Sequence, residues 1–351
     1  MQVKPVQNGG NALLPPTRQI NKSDVSFLIH YINIDRKLHD FSLDKFAIHN
    51  SIFISGGAEA RDSLDGSRYV DVLGQHTCDI SPLPSDICLH SMLLNNDNEL
   101  MVLGGDGPPD QIYQDCLVYR KTAWKYHSKL MSPRISSSAV NMPDGIYIFG
   151  GRTKDWKRCL RTCEFQPNSD SQWRYLDTSI PKPGYIGGSA IAISNNEILL
   201  TGGNAPTKKR MMTFNTSTLK WTLVGDLIHE RNHHRSFIFN DRIIVCGGFN
   251  DGFLRSTEII QSLHPLIIKE GGHLIEGRCG HGLDVINIKG TPTLVAFGGH
   301  SIDQKCIDSV ETWNDKEECW EMTDLKLPHQ RWLFASCSKD TRIPKSFGVK
   351  K

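Results

Sequence analysis

A Gly-Gly doublet closes a short apolar run six times along the chain. The runs are SIFISGG (Gly56-Gly57), ELMVLGG (Gly104-Gly105), IYIFGG (Gly150-Gly151), EILLTGG (Gly202-Gly203), RIIVCGG (Gly247-Gly248) and TLVAFGG (Gly298-Gly299). Their first glycines lie 48, 46, 52, 45 and 51 residues apart, a mean of 48.4. A period of this size describes a unit too small to bury its own apolar face, so neighbouring units must stack into a propeller or a solenoid. At that period the 351 residues amount to about seven units, which predicts one ring and no separate second domain.

Each unit repeats one internal grammar. Ahead of the doublet lie two β-prone runs joined by a polar turn, as in SMLLNNDNELMVLGG, SAIAISNNEILLTGG and SFIFNDRIIVCGG. Asn, Asp and Gly in such turns favour tight hairpins, because positive φ costs them little. Beyond the doublet, a polar loop leads to two further strand-like runs marked by aromatic pairs: Tyr119 and Trp124, Phe165 and Trp173, Phe214 and Trp221, Trp313 and Trp320. No segment of useful length carries a 3.6-residue apolar period, so the unit reads as a four-stranded antiparallel sheet and the fold class as all-β. Glycine is needed where an inner strand must turn hard against the next sheet. The aromatics have the bulk to fill the widening wedge between twisted sheets.

These features together resemble the kelch family of β-propellers. The resemblance rests on the six doublets, the aromatic pairs and a recurring arginine ahead of the first strand in four repeats, at Arg134 (MSPRISSS), Arg231 (HERNHHRS), Arg278 (EGRCGHG) and Arg331 (PHQRWLF). Two units depart from the pattern. Asp62–Pro84 has Cys78 where a tryptophan is expected, and Ser256–Gly277 has Ile259 and Leu266 in place of aromatics, so both should pack less tightly at the rim.

Two ring closures are open. In one, six blades close when a C-terminal strand, Trp332–Cys337, joins the blade of Gly56. In the other, a seventh blade is split between Val25–Leu43 and Trp332–Val349. The seven-blade form uses every strand-like segment, and we expect it, with 1–24 as a flexible extension and 25–349 as the propeller. The six-blade form avoids placing Pro344 in a central strand, where it fits badly.

In a kelch-like ring, the loops after the doublets and the loops entering each first strand share one face around the channel. Arg134, Arg231, Arg278 and Arg331 belong to the entering loops, with His233 beside them; Arg152, Asn204, Asn250 and His300 follow the doublets. Guanidinium groups converging on one mouth would favour an acidic peptide through bidentate, charge-assisted bonds. The competing reading is that each arginine bonds the carbonyls of its own blade. His234 and His281 each follow an arginine by three residues, which favours a repeated packing role over a metal site. Cys159 and Cys163 lie beside Lys157, Arg158 and Arg161, a setting able to lower a thiol pKa, but the expected reading is that of outer-strand cysteines simply packed or solvated.

No GxSxG, HExxH, P-loop or dinucleotide-binding glycine motif is present in the sequence. With 40 Lys+Arg against 38 Asp+Glu, the formal charge of +2 argues against a nucleic-acid or membrane-surface protein. No run approaches the ~20 apolar residues of a membrane span, and the N-terminal stretch lacks a secretory apolar core, so a cytoplasmic location is expected. The resemblance implies a non-enzymatic protein-binding module with no cofactor, of the kind that presents substrates to cullin-based ubiquitin ligases or binds the cytoskeleton. Ligase adaptors of this type carry BTB and BACK domains ahead of the propeller, for which 351 residues leave no room. The rival is a kelch-like sugar-processing enzyme, an epimerase or an oxidase. Its local candidates are Glu230 with Arg231, Glu276 with Arg278, and Tyr185.

Overall fold

Each Gly-Gly period folds as an antiparallel sheet, and the sheets follow one another around a common axis as the blades of a six-bladed propeller. The computed structural model describes residues 51–58, 68–74, 80–108, 111–153, 159–204, 208–302 and 306–338. Blade 2 comprises Ser91–Leu94, Leu100–Leu103, Asp115–Arg120 and Ala123–Lys129; blade 3 comprises Ser138–Met142, Gly145–Phe149, Thr162–Pro167 and Arg174–Ser179. Blade 4 comprises Ser189–Ser194, Glu197–Thr201, Arg210–Asn215 and Lys220–Asp226. Blade 5 comprises Arg235–Phe239, Arg242–Cys246, Thr257–Leu263 and Leu266–Gly271, and blade 6 Gly282–Ile288, Thr291–Phe297, Ser309–Asn314 and Cys319–Lys326. The first two strands of each are joined by the expected tight turns. In blade 5, Asn240 and Asp241 both take positive φ, +48° and +56°, the requirement of a turn whose twist matches the flanking strands.

Blade 1 decides how the ring closes. Ser51–Ser55 is flanked by Val70–Gly74 on one side and by the C-terminal Ala335–Ser338 on the other, with Phe53 opposite Cys337 and Ser55 opposite Ala335. The expected split seventh blade is therefore corrected to the six-blade closure. Its proposed outer strands, Val25–Leu43, and its second inner strand around Phe347 lie outside the described residues, as does Cys78.

Two sets of inter-blade hydrogen bonds explain why six units suffice. At the axis, the residue two positions after each arginine position takes positive φ: Leu89, Ser136, Gly187, His233, Gly280 and Leu333, at +49° to +62°. Each donates its backbone N–H to the carbonyl of its counterpart in the preceding blade, at 2.6–3.0 Å, and the sixth bond returns to the first, so the ring has no gap. Farther out, the second glycine of each doublet donates to the carbonyl at the arginine position of the following blade: Gly57 to Ile87, Gly105 to Arg134, Gly151 to Tyr185, Gly203 to Arg231, Gly248 to Arg278 and Gly299 to Arg331, at 2.8–3.0 Å. Such backbone groups would otherwise be buried without partners.

The doublet's glycines are obligatory for the same reason. A Cβ on Gly150, which has φ of +60°, would fall within the van der Waals surface of the Tyr185 carbonyl oxygen in the next blade. At Gly247 it would lie 2.6 Å from the ring of His281, again in the next blade. His90, His234 and His281 fill this place in three interfaces. Their Nε2 atoms meet Ser55 Oγ at 2.8 Å, Thr201 Oγ1 at 2.9 Å and Cys246 Sγ at 3.6 Å, in each case the residue just before the doublet. The expected packing role of His234 and His281 is the one they have.

The aromatics fill the wedges between sheets. Phe214 stands opposite Trp221, and Phe149 of blade 3 meets both rings edge-on at 5.5 and 5.8 Å. Blade 3 differs from the simple pairing: Phe165 stands opposite Arg174, whose guanidinium lies 5.2 Å from its ring centroid, and Trp173 packs inward against Met101 and Ile148. In blade 5, Ile259 is fully buried beneath Trp313 and Trp320 of blade 6, so the neighbour supplies the bulk that this blade lacks. Among the described residues there is no helix long and apolar enough to cross a membrane.

Candidate partner-binding site

The loops after the doublets and the loops entering the first strands meet at one end of each blade. Ala58 bridges Trp332, Asp106 bridges Cys88, Arg152 bridges Ile135, Phe249 bridges Asn232 and His300 bridges Cys279; in blade 4, Asn204 donates its N–H to the Ile186 carbonyl. These pairs build the channel mouth.

The four entering-loop arginines are not exposed there. Arg134, Arg231, Arg278 and Arg331 are each fully buried. Arg231 donates Nη1 to the carbonyls of Gly247 (2.6 Å) and Ser256 (3.2 Å), and Nη2 to Ser256 Oγ (3.0 Å) and Glu258 (2.6 Å). Arg278 repeats this with Gly298, Ser309 and Glu311, Arg134 with Gly150, Thr162 and Glu164, and Arg331 with Gly56, Tyr69 and Asp71. The carboxylates work in turn: Glu258 accepts the backbone N–H groups of Ile228 and His229, and Glu311 those of Ile275 and Glu276. A guanidinium enclosed by its own blade offers no surface to a ligand, so the reading of these four residues as a basic mouth is corrected to an internal brace. The sequence held the signal. Each carboxylate lies opposite the residue two before its blade's first glycine, and the two blades with Ile87 and Tyr185 at the arginine position have Leu117 and Met212 there.

The remaining candidates do reach the mouth, in different ways. Arg152 is half-buried between Ile135 and Cys159, and Asn204 is exposed. Asn250 accepts a hydrogen bond from Lys208 Nζ at 2.8 Å through its side-chain oxygen. His233 is half-buried at the axis, its pKa pushed down to about 4 by burial and by the charges of Arg235 and Arg152. His300 is buried within a row of rings: Phe249 lies 5.4 Å from Phe253, Phe253 4.9 Å from His300, and His300 4.7 Å from Trp332, centroid to centroid. The row runs from blade 5 across blade 6 to blade 1. Phe249 keeps 37% of its surface, Phe253 and Trp332 are half-buried, and nearby Ile302 keeps 79%.

Sequence reasoning missed Phe249, Phe253 and Trp332. Their signal was the presence of large aromatics at loop positions where the other repeats carry none, as at Trp332, which replaces Cys88, Ile135, Ile186, Asn232 and Cys279. The two cysteines follow the packed reading: Cys163 is buried and Cys159 half-buried, and burial raises the Cys159 thiol and pushes that of Cys163 up to about 12. Of the enzyme candidates, Glu230 faces Lys208 at 3.6 Å, and Glu276 bonds Ser309 and Arg278, while Tyr185 is buried. No group of three or more His, Cys, Asp and Glu side chains suited to a metal ion occurs among the described residues.

Comparison with known proteins agrees with this architecture. Residues 90–270 match the family model described as the KLHDC2/KLHL20/DRC7 Kelch-repeats domain. The chain is 26% identical over 228 residues to spermatocyte protein spe-26 of Caenorhabditis elegans, covering 61% of this chain and 38% of that protein. It is 29% identical over 213 residues to Kelch-like protein terF of Aspergillus terreus, covering 52% of this chain and 46% of that protein. The chain thus spans less than half the length of either relative. The solved structure of YjhT superposes with a TM-score of 0.62 at 14% identity, covering 79% of this chain and 95% of that one, a likeness of fold. With a family match over half its length and a closed ring built on its glycine doublets, the chain belongs to the Kelch-repeat family of β-propellers.

Proposed function

We propose that this propeller is a non-enzymatic protein-interaction module that takes a partner on its channel-mouth face, with the ring row Phe249–Phe253–His300–Trp332 as the anchor. The row itself carries this reading: rings half-exposed on loops held by a rigid scaffold are the residue type and setting in which binding energy concentrates. Arg152, Asn204 and Asn250 form a polar surround. Because the four entering-loop guanidinium groups are enclosed, the partner is anchored by an apolar or aromatic side chain, not chosen for an acidic character. Presenting a substrate to a ubiquitin ligase or holding a cytoskeletal protein would each use this same face.

Affinity capture from cell extract with wild type and the Phe249→Ala/Phe253→Ala/Trp332→Ala variant tests it. Tyr126→Ala, on the outermost strand of blade 2 and 62% exposed, serves as control. Partners should be lost with the triple variant and kept with Tyr126→Ala. A central aromatic anchor is worth about 2 kcal/mol or more, roughly thirtyfold in affinity. An unchanged partner set in the folded triple variant would overturn the assignment.

A further inference from the structure

Arg235 breaks the repeat at the channel axis. It opens the inner strand of blade 5 at the position occupied elsewhere by Ser91, Ser138, Ser189, Gly282 and Ala335. Its side chain reaches the next two blades: Nε donates to the His281 carbonyl at 2.9 Å and Nη2 to the Phe334 carbonyl at 3.3 Å. Each of the four bracing arginines has a carboxylate, whereas among the described residues none pairs with Arg235. Arg235 is half-buried, and a cation partly withdrawn from water with no counter-charge is costly. Its field is felt around it, since Arg235 adds to the burial that holds His90, His233, His234 and His281 below their ordinary pKa.

Arg235 lines a half-open axial cavity of about 40 Å³, together with His90, Ser137 and His233. Two further polar groups at this cavity lack partners. His90 is 7% exposed, and with Nε2 against Ser55 Oγ its Nδ1 is buried without a hydrogen bond; Ser137 Oγ is in the same condition. On this measure one water needs only about 10–15 Å³, so the cavity has room for one small ion together with a water or two.

We propose that this axial cavity binds a small monovalent anion of chloride size, held by the guanidinium of Arg235 with hydrogen bonds from His90 Nδ1–H and Ser137 Oγ–H. The anion supplies the missing counter-charge, and because the cavity is lined from several blades it also ties the ring together. A ligand that binds only the folded state raises the melting temperature with its concentration.

The test measures melting temperature against chloride at constant ionic strength, with gluconate as the replacing anion, for wild type and for Arg235→Ser, the residue that three other blades carry. Acetate is run in parallel, and crystals soaked in bromide are examined for anomalous signal. The expected result is a saturable rise with chloride in wild type, no rise in Arg235→Ser, and a bromide peak within hydrogen-bonding reach of the guanidinium. A flat chloride response in wild type would overturn the proposal, as would an equal response in the variant. A larger rise with acetate than with chloride would assign the cavity to a carboxylate and overturn it too. Should Arg235→Ser not fold, the bromide map of wild type decides alone, and absence of a peak at the axis refutes the site.

Discussion

The brace between Arg231 and Glu258 makes a sharp prediction, because the protein already contains its apolar substitute. Both side chains are fully buried, and Arg231 directs four hydrogen bonds into blade 5, one of them to Glu258. Glu258→Leu leaves the guanidinium enclosed without its counter-ion, a change that costs about 3–5 kcal/mol and lowers Tm by on the order of 10 °C in a domain of this size. Arg231→Ile strands the carboxylate in the same way. The double variant recreates the pair that blade 2 has in Ile87 and Leu117. It removes both charges together, and the N–H groups of Ile228 and His229 lie near the surface, where water replaces Glu258. Urea unfolding followed by tryptophan fluorescence should show the double variant at least about 2 kcal/mol more stable than the sum of the two single losses. Additive losses would refute the view that the pair stands or falls as a unit.

Further outcomes follow from the ring. His90, His234 and His281 have folded-state pKa values below the unfolded value near 6.5, that of His90 about 3, chiefly through burial. The unfolded chain therefore binds more protons below pH 6.5, and stability held above that pH declines as pH falls toward the folded values, by about 1.4 kcal/mol per unit per histidine. Melting curves from pH 7.5 to 4.5 should show this decline, and His234→Gln should flatten it. Gly150→Val should yield unfolded or insoluble protein by circular dichroism, since both its φ and the Tyr185 carbonyl oppose a side chain; a native spectrum would contradict this close approach between blades 3 and 4. Deleting the chain from Arg331 onward removes the inner strand of blade 1 and opens the axial ring, so limited proteolysis should begin in Ser51–Ser55 and its neighbours.

The repeat was legible because it is written locally. The Asn-Asp turn of blade 5, the strand alternation and the aromatic pairs each need only neighbouring residues to be recognised. The glycine doublets were legible for a related reason, since a backbone position that excludes Cβ leaves one residue type available. Blade count was harder. Strand-like runs at both ends satisfied a sevenfold division equally well, and only the pairing of Ala335–Ser338 with Ser51–Ser55 shows that the axial bonds return on themselves after six.

The candidate site divides along the same line. An arginine ahead of four of the first strands was visible in the sequence, but its direction was not. That depends on a carboxylate on the third strand of the same blade, about thirty residues later in three blades and near the other end of the chain for Arg331, being brought beside the doublet. Once paired, the four charges turn inward, and the mouth passes to Phe249, Phe253 and Trp332, which join only when blades 5, 6 and 1 stand side by side. Sequence alone determined the unit, its period and the glycines it cannot replace, since the same backbone position recurs with the same residue type in every repeat. Tertiary structure decided the number of blades, the inward fate of the arginines and the place of Arg235 at the axis, since each depends on which distant groups the closed ring makes neighbours.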